Sequence, residues 1–237
     1  MTGGDPTVRE FLIGRDFVGV HPWETRELGA EDVRRKTEDL KLRLSSSVSS
    51  PVAPRLGVGE IGLDRLKERE ISPQMREMFE VQLKLALEFR RPVVLHGAKC
   101  WGQVVRSVNS IIRLFDYSII STFLFHGFSR SDGLIPDIVA LNGYISVGPA
   151  VLNDHAVNYR ELVKKIPLDR LLLETDRTEE NAATCPSVRD VLVKTAELRG
   201  VSASELERLT DANAAAFLNG THREPLTANR KPLTANR

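Results

Sequence analysis

The chain has 237 residues, is 41% apolar, and carries 33 basic and 32 acidic residues for a formal charge of +1. That length suffices for one large α/β domain burying roughly 70–75% of its unfolded surface, and the even charge excludes a global field that gathers polyanions, although a local patch can still steer a phosphate backbone. Two cysteines, Cys100 and Cys185, form no C-x-x-C pair; no run approaches the roughly 18 apolar residues of a membrane span; and Asp5, Arg9, Glu10, Arg15 and Asp16 interrupt the N-terminus, so a secretory signal is not expected and a cytoplasmic protein with free thiols is.

In chain order, short apolar runs at 17–20, 56–63, 93–96, 122–126, 144–147 and 171–174 read as strands. Between them, 72–90 has apolar residues at helical spacing, with Ser72 as N-cap and Pro73 where its missing amide costs nothing. Segments 103–116 and 156–165 read as further helices. Two more, 187–198 and 202–218, are separated by Gly200, with Ser202 and Glu205 at capping-box spacing. Residues 41–55, KLRLSSSVSSPVAPR, are serine-rich and proline-punctuated and are expected to form a surface loop. The sequence PLTANR stands twice, at 225–230 and 232–237, so the chain is expected to be a domain over 1–220 followed by a disordered repeat tail over 221–237. Strands alternating with helices imply parallel pairing through right-handed crossovers, hence a (β/α) barrel or an open doubly wound sheet.

Four of these runs stop on a residue that can ligate a metal: Glu60 in LGVGEIGLD, His96 in PVVLH, His126 in STFLFH and Asp176 in RLLLETD. Alternation along an extended strand would turn Val58 and Glu60 to one side and Gly59 and Ile61 to the other. Each residue taken singly has a plain reading, a core histidine or a capping carboxylate. Four at four strand ends point to one shared site, because imidazoles and carboxylates on separate parallel strands converge only at the carboxyl edge of a sheet. Asp64, beyond its strand, could anchor a loop or a histidine. His21, in a turn before Pro22 and Trp23, and His155 are weaker candidates. Phosphate-loop and dinucleotide fingerprints are absent, and Ser129 and Ser131 lie in no G-x-S-x-G elbow.

VGVHPW at 18–23, GEIGLD at 59–64, PVVLH at 92–96, FHGF at 125–128, GYISVG at 143–148, LLLETD at 171–176 and LTDANAAAFLNG at 209–220 resemble, in this order, the TatD family of metal-dependent hydrolases. The resemblance implies a TIM-barrel-like fold and hydrolysis of phosphodiesters, typically in DNA, with one or two divalent ions (magnesium, manganese or zinc). It implies that Glu60 bridges two ions, that His96 and His126 complete one, and that Asp176 holds the other and orients the attacking water. Glu60 and Asp176 are thus the expected catalytic residues, and His21 is placed near substrate phosphate.

Departures from the family pattern are equally specific. The family opens on a strand ending in H-x-H, which this sequence lacks, so the barrel is expected to be incomplete by two strands and two ligands unless the true start lies upstream. Gly97 and Ala98 replace a serine and an arginine, Gly127 stands where cysteine is common, and Thr178 where proline follows ETD. Weak metal affinity and low turnover follow, with a partner copy expected to cover exposed barrel edges. The alternatives are an impaired relative with a binding or structural role and an amidohydrolase for a small substrate.

Overall fold

A computed structural model of the protein describes residues 16–49, 56–66, 69–114, 121–178 and 180–220. The repeat tail at 221–237 and the residues before Asp16 lie outside these. Among the described residues, six strands form one parallel sheet in sequential order: β1 (Phe17–Val18), β2 (Gly57–Asp64), β3 (Val93–Ala98), β4 (Phe123–Phe125), β5 (Gly143–Val147) and β6 (Leu171–Leu173). A doubly wound sheet reverses its strand order at a switch point, so a sequential order belongs to the wall of a barrel. The wall is TIM-barrel-like and, among the described residues, open between β1 and β6.

The crossovers carry helices α1 (Ala30–Ser49), α2 (Pro73–Glu88), α3 (Trp101–Leu114), α4 (Ile135–Ala140) and α5 (Val157–Lys165), and α6 (Val188–Arg199) and α7 (Ala203–Leu218) follow β6. The expected caps are in place: the Ser72 hydroxyl accepts from the Met75 amide, Ser202 accepts from the Glu205 amide, and Gly200 takes φ 65° beyond α6. No helix among the described residues is long and apolar enough to cross a membrane.

Helix α1 corrects the expectation of a loop over 41–55 for residues 41–49, through which it runs, while 50–55 lie outside the described residues. Val33, Leu40 and Leu44 are buried along one face at intervals of seven and four, and the buried Arg91 donates to the Leu44 carbonyl at 3.3 Å. The serines, which suggested a loop, return their hydroxyls to the helix itself, Ser45 to the Lys41 carbonyl and Ser46 to that of Arg43.

Strands β3 to β6 sort their side chains into two layers by alternation. Val93, Leu95, Phe123, Phe125, Ile145, Val147 and Leu171 belong to the larger core cluster with residues of the crossover helices, such as Phe79, Leu83 and Val104. Phe17, Val94, Leu124, Tyr144 and Leu172 point the other way and close around Phe217 of α7. The Thr122 hydroxyl, just before β4, donates to the Phe217 carbonyl at 2.6 Å, which pins the end of α7 beneath the strands. Two residues beyond this inner layer, on the same face and at the carboxyl edge, stand His96, His126, Ser146 and Glu174.

Strand β2 departs from alternation. Val58 is registered with Val93 and Ile61 with Leu95, so three residues on β2 span two on β3. Val58 and Ile61 therefore share the outer cluster, contrary to the alternation expected from the sequence, and Glu60 falls on the inner face with Gly62 and Asp64. A Cβ on Gly62 would stand 2.0 Å from the His96 carbonyl oxygen, so only glycine admits this approach of β2 to β3.

Candidate metal centre

All four residues singled out from the sequence meet at the carboxyl edge. The two Glu60 oxygens divide between neighbours: Oε2 lies 3.7 Å from His96 Nδ1, and Oε1 lies 3.6 Å from His126 Nε2. Asp176 Oδ1 approaches the same His126 Nε2 at 3.6 Å, from the loop after β6, where Asp176 holds φ 54° and its side chain is 72% exposed. His21 joins them, its Nε2 3.6 Å from Glu60 Oε2, whereas the His155 amide donates to Asn153 Oδ1 in its own turn and His155 belongs to neither ligand group. Among the described residues, two groups of three have ligand atoms all within 4.8 Å of one another: His21, Glu60 and His96, and Glu60, His126 and Asp176. The resemblance assigned His96 and His126 to one ion, whereas here each falls in a different group.

Hydrogen-bond partners decide which nitrogen each histidine offers. His96 turns Nε2 to Asp64 Oδ2 at 2.9 Å, and Asp64, buried, also accepts from Trp23 Nε1 at 2.6 Å and the Leu66 amide at 2.5 Å. Asp64 is thus the histidine anchor the sequence allowed for, and His96 presents Nδ1 as a lone pair. His126 donates from Nδ1 to Glu174 Oε2 at 2.5 Å and presents Nε2; Glu174 is held in turn by the Ser146 hydroxyl and the Gly127 amide. A carboxylate behind the imidazole is the usual arrangement for a metal-ligating histidine. His21 is built the opposite way. Its Nδ1 accepts from the Trp23 amide at 3.2 Å, in a capping box closed by Glu24 at the start of the 3₁₀ turn Pro22–Thr25. The ring proton therefore sits on Nε2, and His21 meets Glu60 as a donor.

Charge follows the same pattern. Burial alone would push the Glu60 carboxyl up, but the neighbouring His21 and His96 imidazoles and the charge of His126 outweigh it and hold the group below the ordinary carboxylate range. Burial likewise opposes a charge on His126, yet Glu174 beside it, then Glu60 and Asp176, raise the imidazole to about 10. The Nε2 proton is thus a positive charge stabilised between two carboxylates, where a cation would have the same partners.

Glu174 and Arg43 were not among the residues singled out from the sequence. Glu174 stands two residues beyond Leu172 on the inner face, so period-two reading of LLLETD from the inner layer would have found it. Arg43 projects from α1, hidden by the loop reading of that segment. It lines an open cavity of about 480 Å³ together with His21, Trp23, Glu60, His126 and Asp176. Asn181 lines it too and ties the loop bearing Asp176, donating to the Asp176 carbonyl at 3.2 Å and exchanging hydrogen bonds with Thr178. Thr178, where a proline was expected, thereby acquires a positional role.

Residues 14–219 match the family described as TatD related DNase. The chain belongs to this family. It is 28% identical over 218 residues to a metal-dependent hydrolase, YabD, of Bacillus subtilis, an alignment covering 86% of this chain and 79% of that relative. It is 31% identical over 163 residues to a metal-dependent hydrolase of Haemophilus influenzae, covering 67% of this chain and 57% of that one. A relative from Cronobacter sakazakii named a 3'-5' ssDNA/RNA exonuclease TatD is 27% identical over 83% of this chain and 74% of its own length. The crystal structure of YjjV, a TatD homologue of Escherichia coli, superposes with a TM-score of 0.70 at 26% identity, over 86% of this chain and 76% of that one.

The donor set of this TatD-family chain suits a divalent ion. Mixed imidazole and carboxylate donors accept magnesium, manganese or zinc. Two donors each about 2.1 Å from a common ion at a tetrahedral angle stand about 3.4 Å apart, close to the 3.6 Å that separates His126 Nε2 from both Glu60 Oε1 and Asp176 Oδ1.

Proposed function

We propose that this TatD-family chain is a metal-dependent hydrolase that cleaves phosphodiester bonds in DNA. The observation that carries the reading is the convergence of Glu60 Oε1, His126 Nε2 and Asp176 Oδ1 in a cavity open to solvent. These three residues would hold one ion. His96 Nδ1 and the second Glu60 oxygen supply only two donors of a second set, since His21 enters as a donor, so about one tightly held ion per chain is expected. A divalent ion bound there supplies Lewis acidity toward a phosphoryl oxygen and a more acidic water.

The chain's own residues set the rest. Glu24, Glu60 and Asp176 against Arg43 and the charged His126 leave the cavity lining one charge negative. A phosphodiester anion is repelled until a divalent cation cancels that excess, which links substrate binding to metal. His21 presents its Nε2 proton inside the cavity and can hydrogen-bond a phosphoryl oxygen with it, its ring held from behind by the Trp23 amide. The exposed Asp176 carboxylate can orient and deprotonate the attacking water. Arg43, the one guanidinium among the lining residues, takes a flanking phosphate and stands in for the arginine that Ala98 displaces. The relative named an ssDNA/RNA exonuclease supports a nucleic acid as the source of the phosphodiester.

The test is manganese-stimulated cleavage of single-stranded DNA by the wild-type chain and by Glu60→Gln. Cleavage is expected to fall to background in the variant and on chelation. Cleavage indifferent to either would remove the proposal.

A further inference from the structure

The chain has two tryptophans in opposite settings. Trp101 is buried against Phe125 and Phe128, as tryptophan in a core is. Trp23 is 50% exposed and lines the same cavity as Glu60, His126 and Asp176. Leaving so large an aromatic in water forgoes apolar burial, yet its placement is closely specified. Trp23 Nε1 donates at 2.6 Å to Asp64 Oδ2, the oxygen that also faces His96. The 3₁₀ turn and its capping box fix the backbone on either side. The indole meets the His21 ring edge-to-face at 4.7 Å and the His96 ring at 6.2 Å. One buried carboxylate therefore sets both the indole and a candidate ligand, so the exposed half of the ring is held at a fixed position relative to the reacting centre.

We infer that Trp23 is a stacking platform for a nucleobase adjoining the scissile phosphodiester, making this a subsite for single-stranded nucleic acid. The inference rests on the phosphodiester reading above. An aromatic face beside a phosphate-binding centre recognises any base without reading its sequence, because every base presents a π face, and a base must be unstacked from its own strand to use it. Single strands satisfy this at little cost, whereas a duplex does not. Arg43 offers a cation to the backbone in the same cavity, so phosphate and base are served by different lining residues.

The test uses the full chain with manganese and two short phosphorothioate strands that resist cleavage, one of thymidines and one of equal length with abasic sugars, read by fluorescence anisotropy. Wild type is expected to bind the thymidine strand about tenfold or more tightly than the abasic one, the scale of one base–aromatic stack. Trp23→Ala is expected to bind both strands alike, and Trp23→Phe, which keeps a ring but loses the Asp64 hydrogen bond, to retain most of the preference. A wild type that binds the two strands equally, or a Trp23→Ala that keeps the preference, overturns the inference while leaving the hydrolase reading intact. A wild type that binds neither strand overturns the phosphodiester reading and this inference with it. The wild-type comparison needs no variant, so misfolding of Trp23→Ala cannot obscure the result.

Discussion

Glu174→Gln tests how far the histidine geometry depends on the carboxylate behind it. Glu174 accepts three hydrogen bonds: His126 Nδ1 and the Ser146 hydroxyl on Oε2, and the Gly127 amide on Oε1. Glutamine has the same shape but turns one acceptor into a donor. If its oxygen faces His126, its amide nitrogen meets the Gly127 N–H; if it faces Gly127, the nitrogen meets the His126 proton. In either orientation two donors oppose each other, and the negative charge that most favours a proton on His126 is gone. In the second orientation the cheapest escape leaves the one remaining His126 proton on Nε2, the nitrogen that in wild type would yield its proton to an ion while Nδ1 keeps the proton bonded to Glu174. Loss of such an outer partner costs about 10–100-fold in metal affinity, or about 1.4–2.7 kcal/mol. Isothermal titration with manganese should show about one ion per wild-type chain and a dissociation constant raised by that factor in the variant, with thermal melting confirming that both are folded. An affinity within threefold of wild type would refute the orienting role of Glu174.

Two predictions concern stability. Phe217 is fully buried, with its ring 5.9 Å from those of both Phe17 and Tyr144, so Phe217→Ala should cost about 3–5 kcal/mol and lower the calorimetric Tm by roughly 6–20 °C; a drop under about 3 °C would show that the inner layer does not depend on α7. Burial, then the nearby Asp64 charge, raises the Cys100 thiol from 9.0 to about 11. The folded chain therefore keeps this proton where the unfolded chain has lost it, and the contribution is whole below pH 9 and vanishes as pH rises toward 11. Tm should fall more steeply over that window in wild type than in Cys100→Ala, and parallel slopes would contradict the assignment.

Much of the architecture was legible locally. Each strand run and each cap reflects interactions within a few residues, so apolar periodicity and single residues such as Ser72 and Gly200 located all six strands and five of the helices. Termination of four runs on Glu60, His96, His126 and Asp176 also marked the carboxyl edge, because strand direction and side-chain alternation follow from the chain alone. The loop assigned to 41–55 failed over 41–49 for a nonlocal reason. Serines favour loops when water is their best partner, but Leu40 and Leu44 had a core to enter and Arg91 a carbonyl to meet, 47 residues distant in sequence.

The sequence by itself determined the alternation of strands and helices, the family resemblance and the residue types available for metal chemistry. Tertiary structure alone decided their chemical state. The β2 bulge turned Glu60 inward without Val58, and partners 32 and 48 residues away, Asp64 and Glu174, turned His96 Nδ1 and His126 Nε2 toward Glu60. His21, whose Nδ1 accepts from its own turn, was left with its proton on Nε2 facing Glu60. A histidine carries no mark in the sequence of which nitrogen will be protonated, since that depends on what the fold brings to its other side.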